Sequence, residues 1–271
     1  MPMIGPSATR LRVAFVGKGG AGKSTISGTF ARMLARLGDP VLAIDSDPLP
    51  GMPYALGIPI DDGWIPDETV IEGPDDGPRW VLDPALDAEA VIDRYAAVCP
   101  DDVRYLQFGN LRGHASTLQR SQHAWSQVVR EVDRDRWNLV GDLPGGTRQA
   151  MTGWAKYATT VCVVVEPTTK SLHSASRLLN LSSATWAPRR LAVVANRVVD
   201  EDDVARIEER LECSVAGAVP LDSDVLAGDR LAVAPLDAAP DGAFVSAVGR
   251  LVEHVRELNY DDDKIAAKGA C

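Results

Sequence analysis

The sequence predicts an α/β fold: a doubly wound, mainly parallel sheet with helices on both faces. Three observations predict it. Short unbroken apolar runs, such as Leu11–Val16, Val41–Ile44 and Val161–Val165, alternate with segments of helical spacing, as do strands of a parallel sheet covered on both sides. A glycine-rich loop stands between the first such run and the first helical segment. Two aspartates, Asp45 and Asp142, close two of the runs, on the edge where open parallel sheets bind their ligands.

Taken in order, Leu11–Val16 is the first strand, the helix after the glycine loop covers Ser24–Leu37, and Val41–Ile44 is the second strand. Val103–Phe108, Leu139–Gly141, Val161–Val165, Leu191–Ala195 and Val215–Val219 continue the strand series. Helices over Thr117–Val132, Ser171–Ala184 and Asp202–Leu211 fall between them. The stretch Gly57–Pro84, rich in Pro, Gly and Asp, breaks this rhythm and reads as an inserted arm rather than a second domain. Residues 61–93 hold eleven acidic side chains and a single basic one, Arg79, the composition of a solvated face, with a partner-docking arm as the alternative. The expected organisation is one domain over residues 11–258 with flexible tails at 1–10 and 259–271. No internal repeat is present.

Composition narrows the function classes. With 271 residues, 45% of them apolar, the chain can bury one sizeable core. No run approaches the roughly 18 apolar residues of a membrane span. Met1–Arg10 contains no apolar signal region, so the expected compartment is the cytoplasm. A net charge of −10, with 28 basic against 38 acidic residues, weighs against nucleic acid as the main partner, since phosphate neutralisation supplies most of that affinity. Leu251–Cys271 holds five acidic and three basic side chains, unlike a basic membrane-binding helix. Cys99, Cys162, Cys213 and Cys271 form no C-x-x-C pair and read as buried or incidental thiols.

The segment Gly17-Lys18-Gly19-Gly20-Ala21-Gly22-Lys23-Ser24-Thr25 satisfies G-x-x-x-x-G-K-[ST] and lies between a strand and a helix. That is the context in which backbone N–H groups and a helix N-terminus cradle phosphates. Lys23 would then reach the β- and γ-phosphates, and the Ser24 hydroxyl would ligate Mg²⁺. Two acidic segments follow at strand ends: Asp45-Ser46-Asp47-Pro48 and Asp142-Leu143-Pro144-Gly145-Gly146.

Lys18, directly after the first glycine, gives the K-G-G-x-G-K-[ST] form. With it the sequence resembles the deviant Walker A P-loop ATPases: MinD and ParA proteins, nitrogenase iron protein, arsenite and tail-anchored-protein ATPases, and nickel-insertion ATPases of the CooC type. The resemblance implies a P-loop NTPase fold, ATP and Mg²⁺ as cofactors, and ATP hydrolysis. It also implies a homodimer bridged by ATP, with Lys18 crossing to the partner's nucleotide. By the same match, Gly19, Gly20, Ala21, Gly22, Lys23, Ser24 and Thr25 hold the phosphates, and Asp47 orients the attacking water. Asp45 supports that water or the metal shell, and Asp142 holds Mg²⁺ through a water, which makes Ser24, Asp47 and Asp142 the metal-side residues. Gly145 brings a backbone N–H to the γ-phosphate; Asn196 and Arg197, with Pro220 and Asp222, form the base side.

Several segments resemble the nickel-insertion branch, notably Val165-Glu166-Pro167-Thr168 followed by Ser171-Leu172. Where that branch carries G-C-x-C, this chain has Gly113-His114-Ala115-Ser116, so a thiolate metal site is not carried over. His114 and His123 read as polar surface residues, with metal binding across a dimer as the alternative. Pro144 stands where the nitrogenase iron protein has a cluster ligand, and Cys99 does not replace it. Three functions follow: an ATPase switch acting on an unknown client protein, as metallochaperone ATPases do; a ParA/MinD-type partitioning or positioning ATPase; and a nucleotide-gated regulator with negligible hydrolysis. The first is favoured, because the acidic balance and the C-terminal segment count against the basic surface that the second predicts, although a scattered basic patch is the alternative. The chain also keeps Asp47 and Asp142, which the third does not need.

Overall fold

The computed structural model describes residues 10–108, 115–146, 154–181 and 189–269. The first half of the chain runs β1 (Arg12–Gly17), α1 (Lys23–Ala35), β2 (Val41–Asp45), α2 (Met52–Leu56), β3 (Val70–Glu72), β4 (Trp80–Leu82), α3 (Ala88–Tyr95), β5 (Ala97–Val98) and β6 (Arg104–Gln107). It continues through α4 (Ala115–Glu131), β7 (Asn138–Asp142), β8 (Thr160–Val165), α5 (Thr169–Leu181), β9 (Arg190–Val198), α6 (Glu201–Leu211), β10 (Val215–Pro220), α7 (Ser223–Arg230), α8 (Pro235–Ala238) and α9 (Ala243–Gly269). Eight strands form one sheet in the order β10-β9-β8-β1-β7-β2-β6-β5. All neighbours are parallel except β5, which pairs antiparallel with β6. This is the α/β, mainly parallel architecture that the apolar runs predict.

Side-chain alternation along β1 divides the core. Val13 and Phe15 face a layer built with Phe30 and Leu34 of α1 and Val248 and Leu251 of α9, whereas Ala14 and Val16 face Trp125, Val128 and Leu172 of α4 and α5. Phe15 and Phe30 meet edge to face at 5.4 Å. Strand order reverses beside β1, since β1 leads through α1 to β2 on one side while β8 lies on the other. The loops after β1 and β7 therefore emerge together, at the crevice where such sheets bind ligands.

The arm at 57–84 is more ordered than its composition suggests. Val70–Glu72 and Trp80–Leu82 pair antiparallel as a small hairpin, and Val70, Trp80 and Leu82 are buried in the α4 layer. Arg120 stacks 4.2 Å over Trp80, Leu82 N donates to Gln127 Oε1 at 3.0 Å, and Ser121 Oγ donates to Asp67. The acidic residues outline this hairpin rather than unfold it. The expected tail from residue 259 also differs, because α9 continues to Gly269. Leu251, Val252 and Val255 anchor the helix, and Lys264, Ala266, Ala267 and Lys268 are strong helix formers that prolong it.

The central sheet leaves little slack at Gly141. A Cβ there would lie 1.6 Å from the hydroxyl of Tyr157. Gly141→Ala should lower stability by about 3 kcal/mol, the upper end of ordinary overpacking, and Tyr157→Phe in the same chain should recover part of the loss. Urea denaturation of wild type, Gly141→Ala and the double variant checks this; a midpoint for Gly141→Ala equal to that of wild type would show that the strand absorbs the methyl.

Candidate nucleotide site

The loop after β1 turns through Gly20 (φ 82°) and Gly22 (φ 88°), with Ala21 N donating to Lys18 O at 3.2 Å. A side chain at Gly22 would also collide with Asn196, whose Nδ2 lies 2.2 Å from the position of its Cβ. Asn196 is buried at the end of β9 and donates Nδ2 to Ala21 O at 2.7 Å. Nothing lies within 4 Å of a Cβ built on Gly19 or Gly20, so the loop's upper surface is open. Lys23, 6% exposed, begins α1. The first turn of α1 has neither a side-chain cap nor an acidic residue, which leaves its backbone N–H groups directed into the loop, as an anion site requires.

Asp45 and Asp142 are partners in the β2–β7 register, and both are buried. Asp142 Oδ2 accepts from Ser24 Oγ at 2.5 Å, while its Oδ1 is buried without a hydrogen bond. Burial raises the Asp142 pKa to about 6 against the opposing pull of Lys23 and Ser24. Asp45 is pushed up by burial and by Asp142, and its two oxygens accept from Asp47 N (2.9 Å) and Met52 N (3.2 Å). Ser46 N and Oγ both donate to Asp142 O, at 3.0 and 2.9 Å. Asp47 is half-buried and accepts from Leu49 N at 3.0 Å.

An orphaned carboxylate oxygen beside a serine hydroxyl fits Mg²⁺, which keeps several of its waters and takes one or two protein oxygens besides phosphates. Ser24 and Asp142 would hold it. Among the described residues no three His, Cys, Asp or Glu side chains converge on a metal position, so Asp47 is not gathered into a three-carboxylate cage with Asp45 and Asp142. It sits on the loop above them. Lys18 is half-buried on the phosphate loop, and Gly145 packs so closely that its Cβ would stand 2.6 Å from Gly19 Cα.

A cleft of about 330 Å³ extends from the loop and is lined by Gly20, Gly22, Lys23, Ser24, Thr25 and Arg197. Arg197 adopts φ 58° and pairs with Glu166 at 2.5 Å. The far wall holds Tyr54, Leu226, Asp229, Val233 and Pro235, an apolar surface for a flat ring with one carboxylate at its edge. No motif in the sequence marks these residues. Asn196, Pro220 and Asp222 do not line the cleft: Asn196 braces the phosphate loop from behind, and Pro220 ends β10. Asp222, expected beside the base, accepts from Asp224 N at 2.8 Å and Phe244 N at 3.1 Å, on the first turns of α7 and α9. A strand-end aspartate before a helix satisfies free N–H groups, and here two helix starts compete for it.

Cys99 and Cys162 are buried, and burial pushes each thiol up to about 12. His123 is exposed. Gly109, Asn110, Gly113 and His114 lie outside the described residues, as do Met1–Thr9 and Cys271.

Residues 13–229 match the model of the CobQ/CobB/MinD/ParA nucleotide binding domain, and the chain belongs to that family of P-loop ATPases. Among individual proteins, it is 26% identical over 245 residues to the carbon monoxide dehydrogenase accessory protein CooC of Rhodospirillum rubrum, covering 85% of this chain and 91% of that one. The fold is similar to a ParA family ATPase from Chlorobium tepidum, with TM-score 0.70, 18% identity, and 91% and 99% of the two chains covered. It is similar also to the septum site-determining protein MinD of Pyrococcus horikoshii, solved with Mg-ADP, at TM-score 0.69 and 16% identity over 92% and 97% of the chains.

The raised pKa of Asp142 has a sign that can be tested. A carboxyl whose pKa is higher in the folded state binds its proton more tightly there, so its contribution to stability is greatest in acid. That contribution falls as pH rises from the unfolded value of about 4 to the folded value of about 6. Asp142→Asn, neutral at every pH, should therefore gain on wild type across this interval in metal-free, nucleotide-free buffer. Urea unfolding at pH 4.5 and pH 7.5 measures the difference, and a stability gap constant between the two would remove the burial argument.

Proposed function

We propose that the chain is a Mg·ATP-dependent homodimerising ATPase, one unit over residues 11–258, that acts as a nucleotide switch on a client protein during maturation or assembly. The observation that carries this reading is the linkage of three loops around one carboxylate. Asp142 is bound to Ser24 of the phosphate loop, and its backbone carbonyl is bound to Ser46, inside the Asp45–Asp47 segment. A γ-phosphate held at Lys23 therefore addresses both loops that follow β2 and β7, as order–disorder switches of nucleotide proteins require. When bound at Ser24 and Asp142, Mg²⁺ would neutralise charge on the phosphates.

The chain's own groups divide the chemistry. The phosphate-loop amides and Lys23 bind and orient the triphosphate. Asp45, with both oxygens engaged by backbone N–H groups, fixes the path of the loop that bears Asp47. Asp47, half-buried at the loop's surface, orients water, a positioning role suited to phosphoryl transfer. Lys18 lies too early in the loop to join its own cradle, and supplies charge to a facing subunit. Similarity to an accessory protein of carbon monoxide dehydrogenase supports a client-directed role over partitioning. So does the net charge of −10, which gives DNA little to bind.

Lys23→Ala should abolish nucleotide binding. Asp47→Ala should keep binding and lose turnover by about a hundredfold or more, the scale on which lost positioning is felt. In sedimentation velocity, Asp47→Ala should be a dimer with Mg·ATP and a monomer with Mg·ADP, and adding Lys18→Ala should leave a nucleotide-bound monomer. Monomers in both nucleotides would remove Lys18 from the partner's site.

A further inference from the structure

A second cavity, of about 390 Å³, lies on the sheet face opposite α1. Its wall combines Trp125 and Val129 of α4 with Trp154 and Tyr157 of the segment leading into β8. The Trp125 and Trp154 rings lie 5.2 Å apart, inclined by 30°. Three cationic residues, Arg130, Arg134 and Lys156, line it together with the polar Gln122 and Ser126, and among the described residues no acidic residue does. That is unusual placement in a chain of net charge −10. Arg130 approaches Glu131 at 3.8 Å; among the described residues neither Arg134 nor Lys156 forms an ion pair. Asp133 and Asp135 flank Arg134 in sequence, but Asp133 spends its Oδ1 on the backbone of Asp135 and Arg136.

Among the described residues, several buried polar atoms around this cavity lack partners. Trp125 is 2% exposed, and its Nε1–H has no acceptor. Arg12, 5% exposed, stands on the same side of β1 as Ala14 and Val16 and carries an Nη2 with no acceptor. Burial, and after it Arg134, lower the Arg12 pKa against the opposing pull of Asp133, Asp135 and Tyr157. An indole N–H and a guanidinium can only donate. Leaving buried donors of this kind unmet is unfavourable, so a ligand that accepts is favoured over one that donates.

We propose that this cavity is a second ligand site, which takes a small organic anion: a carboxylate carried on a flat aromatic or apolar body. The tryptophan rings provide surface for the body, the arginines and lysine provide charge, and the volume lies in the range of small-molecule sites. A carboxylate is the natural partner of a guanidinium. The site is separate from the nucleotide cleft, with which it shares no lining residue.

Isothermal titration of the full chain with 2-naphthoate, and with uncharged 2-naphthamide, tests the assignment. Naphthoate should bind once per chain, with and without saturating ATP, and at least tenfold more tightly than naphthamide. Arg134→Gln with Lys156→Gln, both exposed and outside the nucleotide cleft, should weaken naphthoate at least tenfold and leave naphthamide unchanged. Trp125→Phe keeps an aromatic ring, though a smaller one, and deletes the orphaned N–H; it should weaken naphthoate more than naphthamide, and it serves as the test if the double variant misfolds. Equal binding of the two probes, loss of naphthoate binding in saturating ATP, or wild-type binding by the variants would each overturn the proposal.

Discussion

The constraint on which the rest of the site depends is the approach of the β7 loop to the phosphate loop. Gly145 lies so near Gly19 that neither strand end can shift alone, and Gly146 N donates to Gly17 O at 3.0 Å. Leu143 N donates to Phe15 O at 3.1 Å. These bonds extend the β1–β7 pairing past the edge of the sheet and hold Asp142 against Ser24. The position of the buried carboxylate, the start of α1 and the path of the β2 loop all follow from that contact.

Keeping two adjacent carboxylates out of water is unfavourable, and the surroundings show how the cost is managed. Asp45 is compensated by two backbone N–H groups, the usual way to stabilise a buried charge without a countercharge. Asp142 is compensated on one oxygen only, with Lys23 nearby. The incomplete satisfaction falls on the residue that a hard cation would contact. A fully satisfied Asp142 would make a more stable apo protein and a poorer metal ligand, in keeping with stability given up at functional sites.

Legibility in the sequence followed the range of the interactions. Strands buried on both faces announce themselves as unbroken apolar runs, and the glycine loop carries its own conformational demand, so both were readable. The hairpin of Val70–Glu72 and Trp80–Leu82 was not, because three-residue strands have no detectable period and its stability comes from Arg120, Ser121 and Gln127, distant in sequence. The assignment of Asn196 and Asp222 to the base side rests on the family resemblance, not on their contacts. Their partners, Ala21 O and the starts of α7 and α9, become visible only once tertiary structure sets distances. The apolar wall of Tyr54, Leu226 and Val233 was missed for the same reason, since exposed hydrophobic residues in loops and short helices have no pattern of their own.

The two walls of the nucleotide cleft are joined behind the site as well as in front of it. Arg32, 2% exposed on α1, donates both Nη groups to the Asp237 carboxylate at 2.7 Å and its Nε to Asp101 at 2.7 Å. A bidentate pair of this kind fixes orientation as well as distance. Asp237 belongs to α8, whose first residue, Pro235, lines the cleft, and α1 begins at Lys23 in the same cleft. Because Arg32 is buried, breaking one partner would strand a charge away from water rather than release it to solvent. The wall that Pro235 belongs to is thereby held to the helix that follows the phosphate loop, and a change in that loop that tilts α1 is passed to the wall through Arg32.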